Sequence, residues 1–136
     1  MAGGKKNTGD SPGVTDVLAA ARRVEGIARR TPLERSAWLE EAAGAEVHLK
    51  LENLQRTGAF KLRGAVNALA ALPQEARARG VVTASAGNHG LGVAWASRAL
   101  GVPARVFVPA TAPDTKRRRI PRFGADLREV PGGYDE

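Results

Sequence analysis

The 136-residue chain contains no cysteine. Disulfides and thiolate chemistry are thereby excluded, and the absence fits a reducing compartment. No apolar run approaches the ~20 residues that a membrane-spanning helix requires. The segment from Met1 to Gly13 also lacks the apolar stretch of a secretory signal. A cytoplasmic protein with no membrane partner is the default expectation. Acidic residues are in deficit: 14 Asp and Glu against 21 Lys and Arg, a net charge of +7, which raises the question of an acidic partner such as nucleic acid. Aromatics are scarce too, with one tyrosine and three phenylalanines, and none is interleaved with the densest basic run, Lys116-Arg117-Arg118-Arg119. That run reads as a solvated helix face, and no nucleic-acid partner is expected. No metal site is expected either.

What is present reads as one domain with a core of its own. Residues 1–13 are rich in Gly, Lys, Ser and Pro and read as a disordered leader. A first helix is capped by Thr15 or Asp16, with Val17, Ala20, Ala21, Val24 and Ile27 or Ala28 on its apolar face. Thr31-Pro32 forces an extended entry into a short strand at Leu33 to Arg35. Ser36 then caps a short helix that Gly44 stops, with Trp38 as a packing residue. These elements and the strand after them make an N-terminal unit over 14–52, ahead of an α/β unit over 53–136.

From Glu46 to Glu52, Val47, Leu49 and Leu51 alternate with His48, Lys50 and Glu52, the pattern of a half-buried strand. Leu62, Ala65, Val66, Leu69 and Leu72 then recur at helical spacing. Pro73 suits the first turn of a short helix closed by Gly80. Strands begin near Val81, Ala104 and Asp126, about 22 or 23 residues apart with helical segments between them. That spacing suits βαβ crossovers and a parallel sheet. The helix from Asn88 to Leu100 is apolar nearly all round and is expected to be buried on more than one side. Gly90 and Gly92 near its start lower helix propensity, which is tolerable where a ligand or a neighbouring backbone comes close. Pro121 breaks the last helix, and Arg122-Phe123-Gly124 turns into the final strand.

Two stretches carry candidate chemistry. In Thr57-Gly58-Ala59-Phe60-Lys61-Leu62-Arg63-Gly64, Lys61 falls where a turn enters a helix, beside an aromatic ring. It is either a solvated first-turn lysine or an amine nucleophile whose apolar neighbours disfavour its charge. In Thr83-Ala84-Ser85-Ala86-Gly87-Asn88-His89-Gly90, a strand runs through small polar residues into a long helix. This is either an ordinary capped turn or an anion site built from free N–H groups.

Together, the run from Leu51 through Lys61 to Ala65 and the loop from Thr83 to His89 resemble the pyridoxal-phosphate enzymes of fold type II, the tryptophan synthase beta-like family. Within that group they look most like the threonine and serine dehydratases, or ammonia-lyases. The likeness extends from about Val14 to the C-terminus and takes in Thr31-Pro32-Leu33 and Phe123-Gly124-Ala125. It implies an α/β fold with a parallel three-layer αβα sheet, incomplete here, and pyridoxal 5'-phosphate as cofactor. It also implies an amino-acid substrate and an intact enzyme that is a homo-oligomer. Lys61 resembles the lysine that forms the Schiff base, Phe60 the residue packing on the cofactor ring, and Asn88 the amide that bonds the ring's phenolic oxygen. Ser85, Ala86, Gly87, Asn88 and His89 resemble the loop that binds the substrate carboxylate, with His89 not the main proton carrier.

The implied reaction is β-elimination of threonine or serine to a 2-oxo acid and ammonia. Racemase relatives carry a serine, a second proton donor, where this chain has Ala86, which argues for elimination. Racemisation and threonine synthesis remain rivals, as does a non-catalytic piece that binds a partner chain. The family's phosphate loop and its partner for the pyridine nitrogen come later than residue 136. The sequence therefore reads as an N-terminal fragment, inactive alone.

Overall fold

The computed structural model describes residues 11–132. Most of the expected leader, and the residues from Gly133 onward, lie outside them. Helix α1 (Val14–Val24) starts two or three residues earlier than expected, after Gly13. The carboxylate of Asp16 reaches back to accept the Gly13 N–H at 3.0 Å. An acid in the first turn thus serves the end it was expected to cap from outside. The helix stops at Val24, and Ile27 reaches the core from the turn beyond it.

Strands β1 (Leu33–Arg35) and β2 (His48–Lys50) form an antiparallel ribbon in which Leu33 faces Lys50 and Arg35 faces His48. The half-buried strand expected over residues 46–52 is corrected here. Only three residues pair, and all three are exposed. Helix α2 (Ala37–Ala43) follows β1 almost at once, so the partner strand ends after three residues. Trp38 is corrected too: it is 76% exposed, on a helix that buries no residue.

The remainder follows the expected order. Helix α3 (Lys61–Ala71) buries Leu62, Ala65, Val66 and Leu69. Helix α4 (Gln74–Arg79) follows, with Pro73 just ahead of its first turn. Strands β3 (Val81–Ala84), β4 (Ala104–Pro109) and β5 (Asp126–Val130) lie parallel in that order. Val81 is in register with Ala104, and Arg105 with Asp126. Helix α5 (Asn88–Leu100) makes the first crossover. Helix α6 (Asp114–Arg117) and a 3-10 turn at Pro121–Phe123 make the second. The last helix thus ends before Pro121, whose ring would meet the carbonyl of the residue four before it.

Both crossovers advance the sheet in one direction, so their helices cover the same face. Among the described residues the other face, with Val82, Ala84, Arg105 and Arg128, is exposed. Val106, Val108, Ile120, Leu91 and Ala94 form the core between sheet and helices. A second cluster, with Leu62, Val66, Leu69, Val93 and Ala96, joins α3 to α5. The helix therefore buries two sides, as its sequence implies. In the basic run Arg118 and Arg119 are exposed, as expected of a solvated face, and Arg117 is half-buried. Arg117 pairs with Asp114 and Glu129, Arg118 with Asp114, and Arg119 donates to the Thr57 carbonyl at 3.3 Å. Among the described residues no helix is long and apolar enough to cross a membrane.

Candidate active site

Lys61 is the first residue of α3, and the segment leading to it explains why it is presented outward. Gln55, Thr57 and Ala59 are buried while Arg56, Gly58 and Phe60 are exposed. Three inward anchors thus leave Phe60 and Lys61 together at the surface. The Lys61 Nζ lies 5.3 Å from the centroid of the Phe60 ring, within cation–π reach. Phe60 is itself 59% exposed, an apolar ring available to a planar ligand.

The second stretch continues from β3. The Ser85 N–H bonds the Phe107 carbonyl at 3.0 Å, which extends the ladder by one residue. Ser85 Oγ then accepts the Gly87 N–H at 3.2 Å and closes a tight turn. Gly87 caps α5, and its carbonyl takes the first intrahelical bond, from the Leu91 N–H. The N–H groups of Asn88, His89 and Gly90 fall in the first turn, where a helix has no acceptors of its own and its dipole is positive. Asn88 and His89 are exposed there.

Two glycines bring these stretches together by close backbone approach. A Cβ on Gly90 would lie 2.0 Å from the Ser85 carbonyl oxygen. A Cβ on Gly92 would lie 3.2 Å from the Lys61 carbonyl carbon and 3.3 Å from the Leu62 nitrogen. Gly90 therefore lets the Ser85 turn fold onto α5, and Gly92 lets α5 lie against the peptide of Lys61 itself.

A cleft of about 540 Å³ opens between α3 and β3. Phe60, Lys61, Thr83 and His89 border it, and Ala65, Leu69, Val81 and Val93 line its apolar interior. Of the residues expected in the site, Lys61, Phe60 and His89 share this cleft. Ser85, Gly87 and Asn88 stand at the adjoining start of α5 and are not part of its walls. Ala86 is fully buried in the core with Leu91, Ala94 and Val106.

A polar network behind Lys61 was not foreseen as part of the site. The Glu52 carboxylate accepts from Arg63 Nη2 at 2.7 Å and Nε at 3.0 Å, and from Thr31 Oγ1 at 2.6 Å. The Arg63 guanidinium, helped by Thr31 and Gln55 and opposed by burial, lowers the Glu52 pKa to about 2. Glu52 and Arg63 stand within the Leu51 to Ala65 run. They are eleven residues apart across an irregular loop, however, and no rule of local spacing pairs them.

Residues 24–136 match the sequence profile of the family described as pyridoxal-phosphate dependent enzyme. An L-threonine ammonia-lyase of Thermotoga maritima is 46% identical over 121 residues, 89% of this chain and 30% of that protein. An L-threo-3-hydroxyaspartate ammonia-lyase of a Pseudomonas species is 48% identical over 112 residues, 82% of this chain and 35% of that protein. Among solved structures, serine racemase from Dictyostelium discoideum aligns with a TM-score of 0.84 at 39% identity, over 89% of this chain and 39% of that one. Threonine deaminase isoform 2 from Solanum lycopersicum aligns with a TM-score of 0.80 at 36% identity, over 88% and 35%. The chain thus spans about a third of the length of the curated relatives it matches.

Proposed function

The chain belongs to the pyridoxal-phosphate dependent enzymes, and from that membership we propose that it carries the amine side of an amino-acid ammonia-lyase site. The reaction would convert L-threonine or L-serine to a 2-oxo acid and ammonia. The observation that carries this reading is the Lys61 amine at the mouth of an apolar cleft, with the start of α5 packed against its own peptide. The residues present suit the reactive edge of the cofactor: a primary amine for its aldehyde, the Phe60 ring for its plane, and the Asn88 amide to donate to its phenolic oxygen. When bound, the cofactor supplies an electron sink for the substrate's α-carbon.

The chain's own residues have the remaining tasks. Lys61 Nζ would hold the cofactor by its aldehyde and would serve as the base that takes the substrate's α-proton. The first-turn N–H groups of α5, with Ser85, bind the substrate carboxylate at the positive end of the helix dipole. Loss of the α-proton and of the β-hydroxyl, followed by water addition and release of ammonia, gives the 2-oxo acid with atoms and electrons balanced.

Racemisation is the second reading, favoured by the likeness to serine racemase. Against it, position 86 offers no proton to the site, since it is an alanine whose methyl is buried in the core. The Pseudomonas relative adds hydroxyaspartate to the candidate substrates.

The test is the visible spectrum of the chain with pyridoxal phosphate, before and after borohydride, beside Lys61→Ala. The expected result is a band that borohydride fixes onto Lys61 and that Lys61→Ala lacks. Release of 2-oxo acid from L-threonine, L-serine and L-threo-3-hydroxyaspartate is then assayed, with chiral analysis of the remaining substrate. An equal band in Lys61→Ala removes the amine assignment. Racemised substrate without 2-oxo acid favours the second reading.

A further inference from the structure

We propose that Glu52 and Arg63, with Gln55 and Thr31, form a clamp that positions the Lys61 amine. This inference rests on the reading of Lys61 as the amine that holds the cofactor, and it assigns a positioning role to residues outside that bond, of which Arg63 also borders the cleft.

Three chain segments meet at the clamp. Arg63 lies in the first turn of α3, two residues past Lys61, and its guanidinium grips both Glu52 oxygens as a fork. The same Nη2 donates to the Arg29 carbonyl at 3.0 Å. Gln55 is 4% exposed and fully used. Its amide donates to the Arg29 carbonyl and to Glu52, and its oxygen accepts the Arg29 and Arg56 N–H groups. Thr31, 3% exposed, donates to Glu52.

The loop before Lys61 is therefore fixed at Glu52 and Gln55, and the helix after it is fixed at Arg63. Both anchors are joined to the same splint at Arg29 to Thr31. Only the turn from Arg56 to Phe60 lies between them, and its alternating burial leaves little slack. A short turn held at both ends restricts where the first residue of α3 can sit. The placement of a reacting amine matters steeply, since a displacement of about 1 Å can cost on the order of 10²-fold in rate. Mere stabilisation would be served as well by an apolar pair of similar volume. The fork adds direction.

The test uses the full 136-residue chain with Glu52→Gln and Arg63→Lys. The lysine keeps the charge but cannot fork. Amide hydrogen exchange is measured over residues 56–63 and over β4, without cofactor. The rate at which added pyridoxal phosphate forms a borohydride-fixable adduct at Lys61 is measured well below the unfolding temperature. Both variants are expected to raise exchange over 56–63 about tenfold more than over β4, where any rise reports the loss of global stability, and to form the adduct about tenfold more slowly.

A uniform rise in exchange, or an adduct rate within about twofold of the parent's, overturns the clamp. No adduct in the parent sinks the Lys61 reading instead, and the exchange pattern then decides the clamp alone. Should either variant fail to fold, Thr31→Val removes a single hydroxyl bond. The same localised but smaller rise supports the clamp, and no rise refutes it.

Discussion

Gly90→Ala isolates the close approach that shapes the Ser85 turn. Replacing a helical glycine by alanine ordinarily stabilises by about 0.5–1 kcal/mol. At Gly90 the new Cβ would stand 2.0 Å from the Ser85 carbonyl oxygen and 3.1 Å from its carbon. An ordinary C···O contact is about 3.3 Å or longer, so the overlap exceeds 1 Å, roughly. The obstacle is backbone, and no rotamer change relieves it. Moving the Ser85 peptide strains its bond to Phe107 and its hold on the Gly87 N–H, each worth about 1 kcal/mol. With an overpacking cost of about 1–3 kcal/mol, the expected net loss is about 2–4 kcal/mol. Gly64→Ala is the internal control. It lies within α3, and its Cβ would meet nothing within 4 Å. That substitution is expected to gain about 0.5–1 kcal/mol. Urea denaturation, read at the midpoint with an unchanged slope, gives both values. Equal stability of the two variants would refute the argument from close approach.

The Glu52 carboxyl is held at about 2 in the folded chain against an ordinary 4.5. Its pairing therefore stabilises fully above about pH 4.5 and is lost as pH falls toward 2, worth up to about 3 kcal/mol. Denaturation of the parent and of Glu52→Gln should show a gap at about pH 6 that narrows steadily below about pH 4. Leu62, fully buried between α3 and α5, should cost about 2–5 kcal/mol as Leu62→Ala in the same assay. Trp38→Ala, at a site 76% exposed, should change stability by less than about 0.5 kcal/mol.

What was legible in the sequence was what short-range periodicity encodes. The bounds of α5, the starts of β3, β4 and β5, and the position of Lys61 at a helix start all follow from apolar spacing and punctuation by glycine and proline. The errors lie where the decisive partner is distant or missing. Leu49 and Trp38 have the composition of packing residues, but no element covers the ribbon and α2 among the described residues, so both are exposed. The roles of Gly90 and Gly92 needed the positions of Ser85 and Lys61 in space. The network at Glu52 was invisible for the same reason, since its members come from three separate segments. Ala86 shows the converse. Its neighbours suggest a site loop, yet its side chain points into the core.

Helix α5 contributes Leu91 and Ala94 to one cluster, and Val93 and Ala96 to the other. Neither cluster can come apart without dislodging a helix that the other needs. In thermodynamic terms this removes the intermediate in which the sheet stays folded while α3 is released, so the described core should melt in a single transition. A probe on the sheet and a probe beside Lys61 would then report the same midpoint, and damage to either cluster would be felt by both.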